Sequence, residues 1–159
     1  MLINKKSQTL TYDFFIAITI FFAILTIMFG YWFYSVVQMQ EVKEKNFAIS
    51  TLIQASQVWF KEGYPKHWGL ENVLELGLTN ENMINRTKME MLPQIGYQKL
   101  ISLLNTGKYN LQYTLYNETN IIFQFPERID LNSSKNIYKI ERIGILDNKI
   151  VKIRTIIWD

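Results

Sequence analysis

The chain has 159 residues, enough for one compact domain of modest core once any lipid-facing part is set aside, and too few for a multidomain enzyme. It has no cysteine, which excludes disulfide staples, thiolate catalysis and cysteine-based zinc sites and leaves packing alone to hold the fold. The formal charge is +3, but Lys5 and Lys6 stand before a hydrophobic run, and from Gln38 onward fifteen Lys/Arg face thirteen Asp/Glu in dispersed positions; no nucleic-acid partner is expected from so neutral a surface.

Residues 14–37 read FFIAITIFFAILTIMFGYWFYSVV, twenty-four positions without a formal charge. About twenty apolar residues cross the hydrocarbon layer as a helix, so this segment predicts a transmembrane span with membrane lipid as its partner. A cleaved secretory peptide has a shorter apolar stretch and a small-residue cleavage site, whereas this run ends in bulky YWFYSVVQMQ. Tyr31, Trp32 and Tyr34 are the amphipathic rings that gather where a helix leaves the bilayer. The lysine pair before the span predicts a cytoplasmic N-terminus and an extracellular remainder. Three N-glycosylation acceptor patterns, at Asn85, Asn117 and Asn132, all fall after the span, as that orientation requires.

The stretch KKSQTLTYDFF, from Lys5 to Phe15, combines two lysines, a small residue, Gln8, hydroxyl side chains and Asp13 just before the apolar run. It resembles the class III signal peptide of archaeal type IV pilins and related filament proteins. The resemblance implies that a prepilin peptidase on the cytoplasmic face cuts between Ser7 and Gln8 and leaves the hydrophobic helix on the mature chain. It further implies partners in other pilin-like subunits through that helix. Two positions depart from the family habit: Ser7 stands where glycine is commoner, and Asp13 becomes the sixth mature residue rather than the fifth. Asp13 has two readings. A carboxylate at the edge of hydrocarbon is costly unless paired, and the new amino group on Gln8 of a neighbouring subunit supplies a partner in the pilin-like case. Alternatively it lies in the headgroup region near the positive end of the helix dipole.

Beyond residue 37 no glycine or proline interrupts the chain until Gly63, and Val42, Phe47, Ile49, Leu52, Ile53, Ser56, Trp59 and Phe60 approximate a helical stripe. The helix is expected to reach about residue 62, on the order of 75 to 80 Å from residue 10 at 1.5 Å per residue. Gly63-Tyr64-Pro65 ends it. A short strand is expected over 73–78, then helices over 82–92 and 95–104 separated by Pro93. Tyr109, Leu111, Tyr113 and Leu115 alternate with polar residues, the mark of a half-buried strand over 109–116. It pairs through Asn117-Glu118-Thr119 with a strand over 120–125, where Ile121, Phe123 and Phe125 are expected to share a face. A second hairpin joins 137–146 to 149–158 through Asp147-Asn148, residues that tolerate left-handed geometry. The segments around GYPKHWGLENVLELGL, Tyr97 and IRTIIW also look like the globular part of archaeal pilin-like proteins.

Chemistry-bearing residues are sparse. His67, the single histidine, lies in the break loop without a nucleophile motif, and with Glu71 and Glu75 it makes no recognisable metal spacing. The seven glycines are scattered and form no phosphate-cradling loop. Trp59, Trp68 and Trp158 read as core. No catalytic residue, metal or cofactor is expected.

The expected architecture is α+β: a cytoplasmic leader over 1–7, a long hydrophobic then amphipathic helix over 8–62, and an extracellular head over 63–159 with short helices and an antiparallel sheet of about four strands. The expected function is that of a structural subunit of a type IV pilus-like filament or pseudopilus. The alternative is a bitopic membrane-anchored binding module that does not polymerise.

Overall fold

The computed structural model describes residues 5–132 and 134–159, with side chains from Tyr12 onward. The fold is α+β. Helix α1 (Lys5–Gln57) runs through 53 residues and closes in a 3-10 turn (Val58–Phe60). It ends earlier than residue 62 because Lys61 turns extended and its carbonyl accepts from the Thr79 amide, while Val58 accepts from Leu78. The chain divides into two compact units, Met1–Lys45 and Asn46–Asp159.

The second unit is built on a six-stranded sheet: β1 (Thr79–Asn80), β2 (Met83–Ile84), β3 (Asn110–Asn117), β4 (Asn120–Phe125), β5 (Ile137–Leu146) and β6 (Lys149–Trp158), in the order β1-β2-β5-β6-β3-β4. The expected count of four is corrected by a two-residue hairpin, β1–β2, whose turn residues Glu81 and Asn82 both adopt positive φ. β2 then joins β5 through a parallel step at Ile84 and Leu146. The residues expected to form a strand over 73–78 form no strand; their one ladder-type pairing is an isolated bridge, Tyr64 to Glu75, and Val73, Leu76 and Leu78 are buried in the core. Their place is fixed by close backbone approach: a Cβ on Gly77 would lie 2.5 Å from the Lys61 carbonyl oxygen, so the position admits no side chain.

The two short helices also shift. α2 (Arg86–Ile95) starts where Asn85 accepts a hydrogen bond from the Lys88 amide, so Asn82 belongs to the hairpin and Asn85 is the cap. Pro93 stays inside α2 because Leu92 and Ile95 are buried on either side of it and hold the last turn in the core. The break before α3 (Tyr97–Leu104) is Gly96, whose φ of 86° a helix cannot continue.

Register places Tyr113 of β3 beside Thr155 of β6, and Thr155 beside Ile140 of β5, on one face of the sheet. Helix α1 is buried in this second unit by Ala48, Thr51, Leu52, Ala55 and Ser56, mostly small residues spaced to one helical side. The Tyr113 hydroxyl donates to the Ala55 carbonyl at 2.7 Å and so satisfies one of the carbonyls left open at the end of α1. Burial pushes the Tyr113 phenol above its usual value, which keeps it a donor. Tyr113→Phe is expected to cost about 1–2 kcal/mol by leaving that carbonyl unpaired, and a urea unfolding midpoint that does not move would contradict the contact.

Two expectations for β3 and β4 are corrected. β3 is buried on both faces up to Leu115, since Gln112 and Thr114 are covered too and the Gln112 amide donates to the Pro126 carbonyl. A register shift between Leu115 and Tyr116 separates Ile121, which is exposed, from the half-buried Phe123 and Phe125.

Candidate membrane anchor and its flanking sites

The anchor begins as a helix with no internal partner. The helical stretch Tyr12–Phe60, α1 with its closing turn, is long and apolar enough to cross a membrane, and the most apolar window in it, with mean hydropathy 2.4, is nowhere buried by its own chain. Phe14, Ile20, Phe22, Ile24 and Phe29 each present more than half their surface outward. A soluble domain hides such side chains; a span offers them to lipid or to other helices. Polar groups inside the run are handled locally: the Thr19 and Thr26 hydroxyls donate to the Phe15 and Phe22 carbonyls, each at 2.8 Å, so neither faces hydrocarbon unpaired.

Tyr31, Trp32 and Tyr34 follow at the end of this run and are all exposed. Asp13 is exposed in α1, and since the helix starts at Lys5, eight residues earlier, it lies past the first turn, where the helix dipole acts. The Ser7 and Gln8 side chains, and residues 1–4 of the leader, lie outside the described residues.

The three acceptor asparagines differ in availability. Asn85 is spent on capping α2, with the two following residues already helical. Asn117 ends β3 in register with Asn120 and is half-buried. Asn132 is exposed, although Ser133 of its pattern lies outside the described residues.

In the second unit the large apolar residues of α1 do not follow the expected stripe. Leu52 and Trp59 are buried, but Ile49 (39%) and Ile53 (38%), one turn apart, and Phe60 flank the closely packed side of small residues and remain exposed. Hydrophobicity alone places the large residues in one stripe and does not reveal that Ala48, Thr51 and Ala55, which the stripe leaves out, pack closest.

The residues considered for chemistry are dispersed. His67 is exposed, Glu75 pairs with Lys61 at 3.2 Å, and among the described residues no group of three His, Asp or Glu side chains gathers to hold a metal. Trp59, Trp68 and Trp158 are buried; Trp68 donates to the Gly77 carbonyl at 2.8 Å. A buried lysine was not foreseen: Lys88 Nζ donates to the Glu62 carbonyl at 2.6 Å and the Thr79 carbonyl at 3.1 Å, and burial holds its pKa below the usual lysine value despite nearby Glu62. Its only sequence signal was its place three residues after a helix-capping asparagine. A groove of about 400 Å³ lies between α2 and the hairpin turns, floored by Met89, Phe123 and Val151 and rimmed by Lys149 and the Arg86–Asp147 ion pair.

On the outer face of the sheet Glu141 receives Lys152 and Arg154, each at 2.8 Å. These hydrogen bonds, Lys152 first, hold its carboxyl down at about 2. A depressed folded-state value contributes stability above the unfolded value near 4.3, which is lost as pH falls toward 2. The thermal midpoint is therefore expected to fall between pH 5 and pH 2 by more in the natural chain than in Glu141→Gln; equal losses would contradict the pairing.

Comparison with protein-family models, with curated proteins and with solved structures finds no match for this chain. The functional reading therefore stands on the residues themselves.

Proposed function

We propose that the chain is a non-catalytic, membrane-anchored structural subunit of a pilus-like filament or pseudopilus, held by α1 before assembly with its N-terminus cytoplasmic and its sheet domain outside. The observation that carries the reading is the state of α1. One unbroken helix bears an apolar run long enough for a bilayer with none of its most apolar window buried, and then, in the second unit, a buried side of small residues flanked by the part-exposed Ile49 and Ile53. A simple anchor has use for the first feature only. Exposed aliphatic residues on a helix outside the lipid call for a further apolar partner, and identical helices of neighbouring subunits supply one.

The resemblance of KKSQTLTYDFF to a class III signal peptide adds the route: a prepilin peptidase cuts between Ser7 and Gln8, and Asp13 then meets the new amino group of a neighbour. Intact-mass analysis of chain from native membranes tests this step. A chain beginning at Gln8 is expected; a chain that begins at Met1 in assembled material contradicts it.

The second reading, a bitopic binding module that does not polymerise, has the groove beside α2 in its favour, an apolar floor with a polar rim. It expects no cleavage before Gln8.

A further inference from the structure

The β5–β6 hairpin has a two-sided surface. Alternation buries Gly144, Leu146, Val151 and Ile153 on the core side and turns Ile143, Ile145 and Ile150 away from it, at 72%, 46% and 73% exposure. Ile145 and Ile150 are direct register partners, and Ile143 stands two residues along β5, opposite Lys152. The three form one aliphatic patch on the outer face at the turn end of the ribbon, where an exposed sheet face is ordinarily polar.

Charge is gathered around this patch. Residues 137–158 contain five basic and two acidic side chains, whereas the rest of the chain from Gln38 onward has ten basic and eleven acidic. Both acids of the hairpin are engaged, Glu141 by Lys152 and Arg154 and Asp147 by Arg86. On the outer face itself Lys139, Lys152 and Arg154 outnumber Glu141. The head as a whole is nearly neutral, so its positive charge is localised to the element that also carries this patch.

An aliphatic patch with Lys152 beside it and Lys139 further along the same face, these two and Arg154 outweighing the one carboxylate they share, Glu141, matches one chemistry closely, an apolar layer beneath negative headgroups. We propose that the outer face of the β5–β6 hairpin docks on a bilayer surface bearing anionic headgroups. The proposal rests on the anchoring half of the functional reading, which keeps a bilayer beside every unassembled copy, and it does not depend on polymerisation. The isoleucines enter the headgroup boundary and Lys139 and Lys152 meet phosphate, giving the head a resting place before assembly.

The absence of cysteine makes the test direct. Full-length chain carrying Ile150→Cys is labelled with an environment-sensitive fluorophore and reconstituted, one chain per nanodisc, in phosphatidylglycerol-rich or pure phosphatidylcholine discs; Ile24→Cys is labelled in parallel. In anionic discs the probe at position 150 is expected to shift to the blue and be quenched by spin-labelled lipid. Lys139→Gln with Lys152→Gln is expected to lower the docked-to-free ratio at least about tenfold. Ile143→Ser, which leaves the charges in place, also weakens quenching. Water-like emission at position 150 with lipid-like emission at position 24 overturns docking and leaves the anchor standing; water-like emission at both positions removes the anchor as well. A blue shift that appears only with several chains per disc, without lipid quenching, overturns docking in favour of contact between copies.

Discussion

Replacing Ile20 and Ile24 together by arginine is expected to remove the chain from the membrane. Both side chains are more than half exposed and lie inside the most apolar part of α1, so neither contributes to packing within the chain. On translocon-insertion scales each arginine near the centre of a span costs about 2.5–3.5 kcal/mol, and two together about 5–7 kcal/mol. That penalty is comparable to the margin that commits a single span to lipid. The measurement is the alkali-resistant membrane fraction of cells expressing each form. A natural chain retained and a double variant lost are expected. Retention of the double variant would mean that those side chains do not face lipid. The paired change Ile20→Leu and Ile24→Leu, of the same bulk, is expected to stay in the membrane.

The second large effect is in the core of the sheet domain. Trp59 is fully buried at the 3-10 turn that closes α1, with its ring edge-on to Tyr113 at 5.4 Å and to Phe123 at 6.1 Å. It joins the end of the helix to β3 and β4. Trp59→Ala leaves a cavity that rigid neighbours do not fill, at a cost of about 3–5 kcal/mol. Whole-domain stabilities lie at about 5–15 kcal/mol, so much of the available margin is lost. Trp59→Phe gives a sharper comparison. The indole Nε1 has no hydrogen-bond partner among the described residues, so the phenyl ring removes bulk without breaking a polar contact and is expected to cost less than half as much. Urea unfolding of the full chain in detergent, followed by circular dichroism, separates the three forms. Equal losses for Phe and Ala would indicate that Nε1 is bonded and that volume is not what matters.

These two effects also show which parts of the molecule were legible in its sequence. The long apolar helix was legible because it depends on an unbroken run of side chains and on nothing elsewhere in the chain. The closing hairpin was legible because Asp147 and Asn148 both take the left-handed geometry expected of them, with φ of 49° and 60°. Other elements depend on tertiary partners. β1 and β2 have two residues each, too few for any period to show, and Asn82 and Asn85 are both good cap residues; the hairpin claims the first and the helix the second. Pro93 signals a helix break in isolation, but burial of Leu92 outweighs its missing amide, and Gly96 makes the break. The polar positions of β3 were expected to face water, but Gln112 is buried with its amide on the Pro126 carbonyl, a partner that no local pattern names.

For the candidate site the same division holds. Tyr31, Trp32, Tyr34 and Asp13 were picked out by composition and order along the chain, and the structure adds that all four are exposed. The small-residue packing side of α1 and the exposed Ile49 and Ile53 were not, because both sets satisfy the helical period and only the sheet decides between them. The Lys88 staple needed the Glu62 and Thr79 carbonyls to be brought together first, which no local pattern announces. The three acceptor asparagines matched one short pattern equally, and the structure separates them by their hydrogen bonds and exposure.

The central claim is that α1 leaves the bilayer with the chain and packs against copies of itself. Material sheared from the surface of intact cells tests it most directly, by peptide mapping of the Phe14–Val37 segment in the filament fraction. The expected result is that the segment is present, intact and joined to the sheet domain, in particles that sediment and contain many copies of the chain. The contradicting result is a sheared fraction without the chain, or one holding only released sheet domains, while the helix stays behind in the membrane.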